Sequence, residues 1–262
     1  MEIVRPSAVA GLFYPANAAK LIKMIASNMA DCDLDTTRTP KALIVPHAGY
    51  VYSGPVAARA YKYLQPIKDR IKRVVLVGPS HRVPFDGLAV STADWFETPM
   101  GLIQVDRQAE SEIMAIEGVH ALEQAHAREH SLEVQLPFLQ FLLNDFKIVP
   151  IVAGHASPQL VAKVLEKLWD GPETLVVISS DLSHFLDYES ACETDAETSQ
   201  AIISMDNHVI DGFHACGSVG INGLLLFARH HDLHGEILAL KNSGDTAGKK
   251  DSVVGYGAYL FQ

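Results

Sequence analysis

The sequence predicts an α/β fold, a single domain over residues 1–262 with a central, mostly parallel sheet covered by helices on both faces. Short apolar runs alternate along the chain with stretches of helical periodicity, the pattern of strand–helix units feeding a parallel sheet. The runs "RVVLV" (73–77) and "TLVVI" (174–178) are apolar almost throughout, as strands covered on both faces must be. No internal repeat, low-complexity tract or Gly/Ser-rich linker divides the 262 residues, enough for a large core without disulfide staples.

In chain order, Leu21, Ile22, Met24, Ile25 and Met29 recur at helical spacing and predict a helix over 18–29. "DCDLDTTRTP" (31–40) reads as a loop. Ala42-Leu43-Ile44-Val45 reads as a buried strand, followed by a helix over 55–64. Strands follow at 73–77 and 87–91, then helices at 106–116 and 130–143, the second with Leu132, Leu136, Leu139 and Leu143 on one face. The remainder alternates strand 147–152, helix 157–169, strand 174–179, helices 190–204 and 219–230, and strands 236–240 and 253–261. The last, "VVGYGAYLF", alternates more than the others and suits an edge or antiparallel position.

Composition excludes several functions. A formal charge of −10 argues against a nucleic-acid backbone or an anionic membrane as main partner. No apolar run reaches the roughly 18 residues of a membrane helix, and no charged-then-apolar leader opens the sequence. Three cysteines, Cys32, Cys192 and Cys216, have no CxxC spacing; that suits a reducing compartment and a cytoplasmic protein. GxSxG, P-loop, HExxH and GxGxxG motifs are absent, which removes the usual serine-hydrolase, ATP, zinc-protease and NAD readings.

Polar residues instead collect where apolar strands stop. Strand 42–45 runs into "PHAG" with His47, and 73–77 into "GPSH" with His81. Strand 174–179 runs into "SSDLSH" with Asp181 and His184, and 147–152 into "AGH" with His155. In open α/β sheets ligands bind beyond the carboxyl ends of the strands, so parallel strands would gather these loops on one edge. One histidine after a strand is ordinarily a capping residue, the reading taken for His155; three in equivalent places, His47, His81 and His184, predict a site. Cys216 in "CGSVG" lies before a helix start, where a thiolate is favoured, whereas Cys32 and Cys192 read as small buried hydrophobes. "EHSLE" places His130 and Glu133 three apart in an expected first helical turn, with His130 as a site candidate. His230, His231 and His234 sit at a helix end that favours cations, a solvated end before a surface metal site.

"AGLFYP", "PHAGY", "GPSH", "EHSLE", "SSDLSH" and "CG" occur in an order that resembles the Memo family, covering the chain from Arg5 to the last strand. The resemblance implies a fold similar to class III extradiol dioxygenases, which are non-haem iron enzymes. It implies metal ligands at His47, His81 and Cys216, with Asp181 and His184 lining the pocket, His184 as acid/base, and His130 in the family's "EHS" motif. It further implies a redox-related, metal-binding protein, and for microbial members (AmmeMemoRadiSam system protein B) a radical-SAM protein partner.

Two imidazoles and one anion leave coordination positions open, as in facial-triad iron sites; a thiolate as the anion departs from the carboxylate of ring-cleaving enzymes. Iron is the first expectation, with copper or zinc as alternatives. Three functions fit these residues. One is a metal-dependent, dioxygenase-like oxidoreductase of unknown substrate, with Asp181 orienting a ring or a ligand. Another is a thiol hydrolase with Cys216 as nucleophile and His184 as base. The third is a binding module whose cleft holds a peptide or a protein partner above a vestigial metal site; otherwise the cleft takes a small-molecule or peptide ligand.

Overall fold

The computed structural model describes residues 2–262 apart from 31, 33, 34, 36, 37 and 170, so the loop expected at 31–40 falls partly outside the described residues. The chain begins with β1 (Val4–Arg5), α1 (Ala18–Ala30), β2 (Ala42–Val45), α2 (Tyr50–Tyr61), β3 (Arg73–Pro79) and β4 (Leu88–Val90). It continues through β5 (Trp95–Thr98), β6 (Gly101–Gln104), α3 (Arg107–Ile113), β7 (Val119–Ala121), α4 (Glu123–Ala127) and α5 (Leu136–Leu142). Then come β8 (Lys147–Ala153), α6 (Pro158–Leu168), β9 (Thr174–Ser179), β10 (His184–Leu186), α7 (Tyr188–Ile203), α8 (Ser218–His230), β11 (Gly235–Asn242) and β12 (Val253–Phe261).

The large sheet runs β10-β12-β2-β9-β3-β8-β4-β7, with β11 also on β12; β1, β5 and β6 form a small separate sheet. Its middle, β2-β9-β3-β8, is parallel. β12 against β2 and β4 against β8 are antiparallel, so the sheet is mixed at its margins. The terminal strand is antiparallel but not an edge: it is paired on both sides.

Every residue of β2 and β9 is buried because helices cover both faces. Successive side chains alternate between two cores, as strand geometry requires. Leu43, Val45, Val74, Leu76, Leu175 and Val177 pack with α1, α2 and α5. Ala42, Ile44, Val75, Val77, Val176 and Ile178 pack with α3, α6 and α8. The helices are held by ordinary devices. Leu21, Ile25 and Met29 form the buried stripe of α1, Ser157 caps α6 by accepting from Leu160 N, and Asp187 caps α7 by accepting from Ser190 N.

Among the boundaries that differ from expectation, two lie beside the site. α2 starts at Tyr50 rather than 55, so Pro55 lies inside the helix and not at its start. The proline removes only the bond to Val51 O, which lies on an exposed residue, and Gly49 supplies the preceding turn. Residues 129–132 form a turn and not the start of a helix; a 3-10 turn over Glu133–Gln135 precedes α5. Glu129 folds back to accept from His130 N and Ser131 N, each at 2.9 Å, which opposes helical continuation. Glu133 is buried and not a surface neighbour of His130: it pairs with buried Arg5 and accepts from Ala8 N (2.7 Å), Val9 N (3.0 Å) and Tyr14 Oη.

Candidate metal centre

Parallel register places the ends of the four central strands together: Val45 pairs with Ser179, Val77 with Ile178 and Pro79 with Ala153. His47 leaves β2 and is 1% exposed. His81 leaves β3 and opens to solvent. Cys216 arrives from the loop before α8. One ligand atom from each of these three lies within 4.8 Å of the others, across the crevice.

Buried hydrogen bonds decide which imidazole atom faces the crevice. Ser179 Oγ donates to Ser131 O at 2.6 Å and accepts from Gln135 Nε2 at 2.7 Å. Its single proton is therefore committed, and His47 Nδ1, 2.9 Å away, must be the donor to it. That leaves the lone pair on His47 Nε2, which faces Cys216 Sγ at 3.3 Å. Glu129 does the same for His81. Its Oε2 accepts from His81 N at 2.6 Å and its Oε1 takes the Nδ1 proton at 2.9 Å, so His81 Nε2 is the free lone pair. These are the carboxylate–imidazole and hydroxyl–imidazole contacts that fix metal-ligating histidines.

The other candidates surround this group. The His130 ring lies 4.5 Å from His81 and 5.4 Å from His47 (centroids), packed on Phe13 at 4.7 Å. Asp181 binds the backbone and not a ring: its Oδ1 accepts from His47 N at 2.7 Å and Ala48 N at 3.3 Å, fixing the turn that presents His47. His184, half-buried on β10, stands opposite Val254 of β12. Phe185 beside it has φ 61° and is 77% exposed, a left-handed conformation that a bulky residue adopts at a cost. The His155 side chain reaches solvent at the cleft mouth, while its backbone pairs with Phe85 and Gly87. Cys32 is buried as expected; Cys192, expected to be buried as well, is exposed because it lies on the outer side of α7, with Asn242 Nδ2 3.5 Å from its sulfur.

Electrostatics keep the His47 and His130 imidazoles and the Cys216 thiol neutral. Burial, then the His81 and His130 charges, hold His47 well below the usual imidazole range. Burial lowers His130 to about 4 and also lowers His184. Burial would raise Glu129, but hydrogen bonds from the His81 ring and backbone outweigh it and hold this carboxylate at about 2. Burial raises Asp181 to about 7 against the pull of two backbone N–H groups. Burial and then the Asp181 charge raise Cys216 to about 12. The thiolate that the helix start suggested is thus not favoured, because enclosure outweighs the opposing hydrogen bonds from Ser180 and the Gly217 backbone.

A cleft of about 480 Å³ opens onto Cys216, walled by Val77, Val83, Phe85, Ile178 and Val219. It is large enough for a small organic molecule and mostly apolar. Sequence reasoning missed Glu129, Ser179 and Gln135. Glu129 and Ser179 lie inside the quoted motifs "EHSLE" and "SSDLSH", but nothing local distinguishes them from their neighbours.

Comparison with known proteins accords with this architecture. The family model described as Memo-like protein matches residues 5–260. A MEMO1 family protein of Ignicoccus hospitalis is 35% identical over 283 aligned positions, covering 99% of each chain. One of Saccharolobus solfataricus is 36% identical, covering 98% of this chain and 99% of its own. Among solved structures, uncharacterized protein JW3007 from Escherichia coli superposes with a TM-score of 0.51 at 14% identity, over 85% of this chain and 100% of that one, a likeness of fold alone. No helix among the described residues is long and apolar enough to cross a membrane. Matched along nearly its whole length by the family model and by these relatives, the chain belongs to the Memo-like protein family.

Proposed function

We propose that the crevice holds one cation on His47 Nε2, His81 Nε2 and Cys216 Sγ: Fe(II) first, or copper, in a dioxygenase-like oxidoreductase, with redox-silent zinc as the alternative. The observation that carries this reading is the pair of committed Nδ1 protons, which leaves both Nε2 lone pairs free on two imidazoles that each bring a ring nitrogen within 4.8 Å of the thiol. The donor set suits such a cation, since two imidazoles and a thiolate accommodate iron, copper and zinc. When bound, the cation supplies redox chemistry and open coordination positions to a small molecule in the cleft.

The chain's own groups have separable tasks. Glu129 keeps the His81 Nδ1 proton in place, and Ser179 with Gln135 does so for His47. Cys216 would hold the cation as a thiolate, since a bound cation deprotonates a coordinating thiol outright. His184, near enough to His47 and His81 for their charges to be felt, would be the group that takes a proton from a ligand bound in the crevice and returns it. His130 walls the crevice beside both imidazoles. The cleft's size favours a small molecule over an extended peptide. A radical-SAM protein partner rests on the resemblance alone and enters no step.

The test is elemental analysis of tag-free protein purified without oxygen, comparing wild type with Cys216→Ser and His81→Ala. Near-stoichiometric iron or copper in wild type, lost in both variants, is expected. Wild type that stays empty after addition of Fe(II) or Cu(I) overturns the reading. One observation favours a second reading: the thiol lies 3.3 Å from an imidazole nitrogen, the contact of a cysteine nucleophile with its base, although that imidazole is His47 and not His184. Stoichiometric alkylation of Cys216 in metal-free protein, with activity indifferent to chelators, would select it.

A further inference from the structure

α8 starts beside Cys216 and ends at His230. Its 13 residues rise about 1.5 Å each and span about 20 Å, so its last turn is remote from the crevice. There His230 Nδ1 contacts Glu166 Oε1, and His231 Nε2 lies 2.7 Å from Glu166 Oε2. One ligand atom from each of the three residues lies within 4.8 Å of the other two.

The spacing is set by packed helices and not by side-chain reach alone. Glu166 belongs to α6, which packs so closely on α8 that a Cβ added at Gly223 would meet Val161 at 2.4 Å. The His231 ring is held by Trp169 (centroids 4.6 Å, planes 28° apart) and by Phe227 (4.4 Å). The neighbouring cation, Arg229, is turned away onto Asn207 Oδ1. The helix C-terminus adds partial negative charge, which favours a cation there.

We propose that Glu166, His230 and His231 form a second, solvent-facing site for a borderline divalent transition-metal cation, Zn²⁺, Ni²⁺ or Cu²⁺. Two imidazole nitrogens and one carboxylate oxygen are the donors these ions take, with the remaining positions open to water. Mg²⁺ and Ca²⁺ prefer oxygen donors and are excluded by the same chemistry. On binding, each neutral imidazole shifts its proton from the nitrogen that donates to Glu166 to the one turned away, which frees both facing lone pairs with no net proton release.

The site is independent of the crevice, and so is its test. Full-length, tag-free, chelator-treated protein is dialysed against Zn²⁺ at neutral pH and its metal content measured, for wild type, Cys216→Ser, and His230→Asn/His231→Asn in both backgrounds. The double substitution removes one equivalent from either background, and the remaining affinity at this position falls at least about 100-fold, beyond the loss typical of outer-shell partners. Cu²⁺ in place of Zn²⁺ gives imidazole nitrogen couplings in the paramagnetic resonance spectrum of Cys216→Ser that the double substitution abolishes. Equal Zn²⁺ uptake with and without the two histidines overturns the proposal and leaves Glu166 as a carboxylate shared by two rings. A crevice that fails to bind metal appears instead as no difference between wild type and Cys216→Ser, so the two failures are distinguishable.

Discussion

At the N-terminal end of α8 a thiol meets two imidazoles inside a crevice; at its C-terminal end a carboxylate meets two imidazoles in solvent. The donor types are nearly the same, and the support behind them is not. In the crevice each imidazole's second nitrogen is tied to a buried partner, Ser179 or Glu129, which is itself saturated by hydrogen bonds. At the far end His231 is fixed by ring packing, while the His230 side chain is 76% exposed. Preorganisation by a buried polar shell distinguishes a site able to tune a cation's chemistry from one that only holds a cation.

The contrast can be broken at four places. The largest effect is expected beneath the crevice, where Glu133 anchors Arg5 and the segment Ala8–Tyr14. Glu133→Ala strands a buried guanidinium and should cost about 3–5 kcal/mol in a denaturant titration. An unchanged midpoint would show that the anchor is dispensable.

The next effect is acid sensitivity of the metal-free protein. His126 is buried with Nε2 3.0 Å from Ala89 O, and burial lowers it to about 4, opposed by Glu123. An imidazole whose pKa falls on folding costs nothing above the unfolded value of about 6.5, and stability drains away as pH falls from there toward the folded value. At about 1.4 kcal/mol per unit the loss is on the order of 3 kcal/mol. His126→Gln should flatten the fall between neutral pH and the folded value; identical pH profiles for variant and wild type would contradict this account.

Glu129→Gln sharpens the comparison directly. It keeps the shape but weakens the hold on the His81 Nδ1 proton, so crevice metal affinity should fall about 10–100-fold while the Glu166 position is untouched. Competition with a chromophoric chelator reads both. The smallest effect belongs to Glu166→Gln in metal-free protein: an exposed pair is worth less than about 1 kcal/mol, so its thermal midpoint should hardly move. A large drop would make the cluster a structural element.

Most of the frame was legible in the sequence because apolar periodicity reports burial directly. "ALIV", "RVVLV" and "TLVVI" could only be doubly covered strands, and they are the core of the sheet. The hairpin of β5 and β6, Trp95–Thr98 and Gly101–Gln104, was not legible, since polar Thr98 is buried and apolar Leu102 exposed, which blurs the alternation. The turn at 129–132 was misread as helix because Leu132, Leu136 and Leu139 keep helical spacing, while the bonds that Glu129 accepts are invisible to periodicity.

The sequence by itself determined the central strands, their parallel run, and which residue types stand at their ends, because those follow from local hydrophobicity and chain order. Only the tertiary structure decided the protonation of the site. His47 takes its tautomer from Ser179, 132 residues away, His81 from Glu129, 48 residues away, and Cys216 meets His47 across 169 residues. Desolvation and hydrogen-bond saturation belong to the assembled crevice, and no local stretch of sequence carries them.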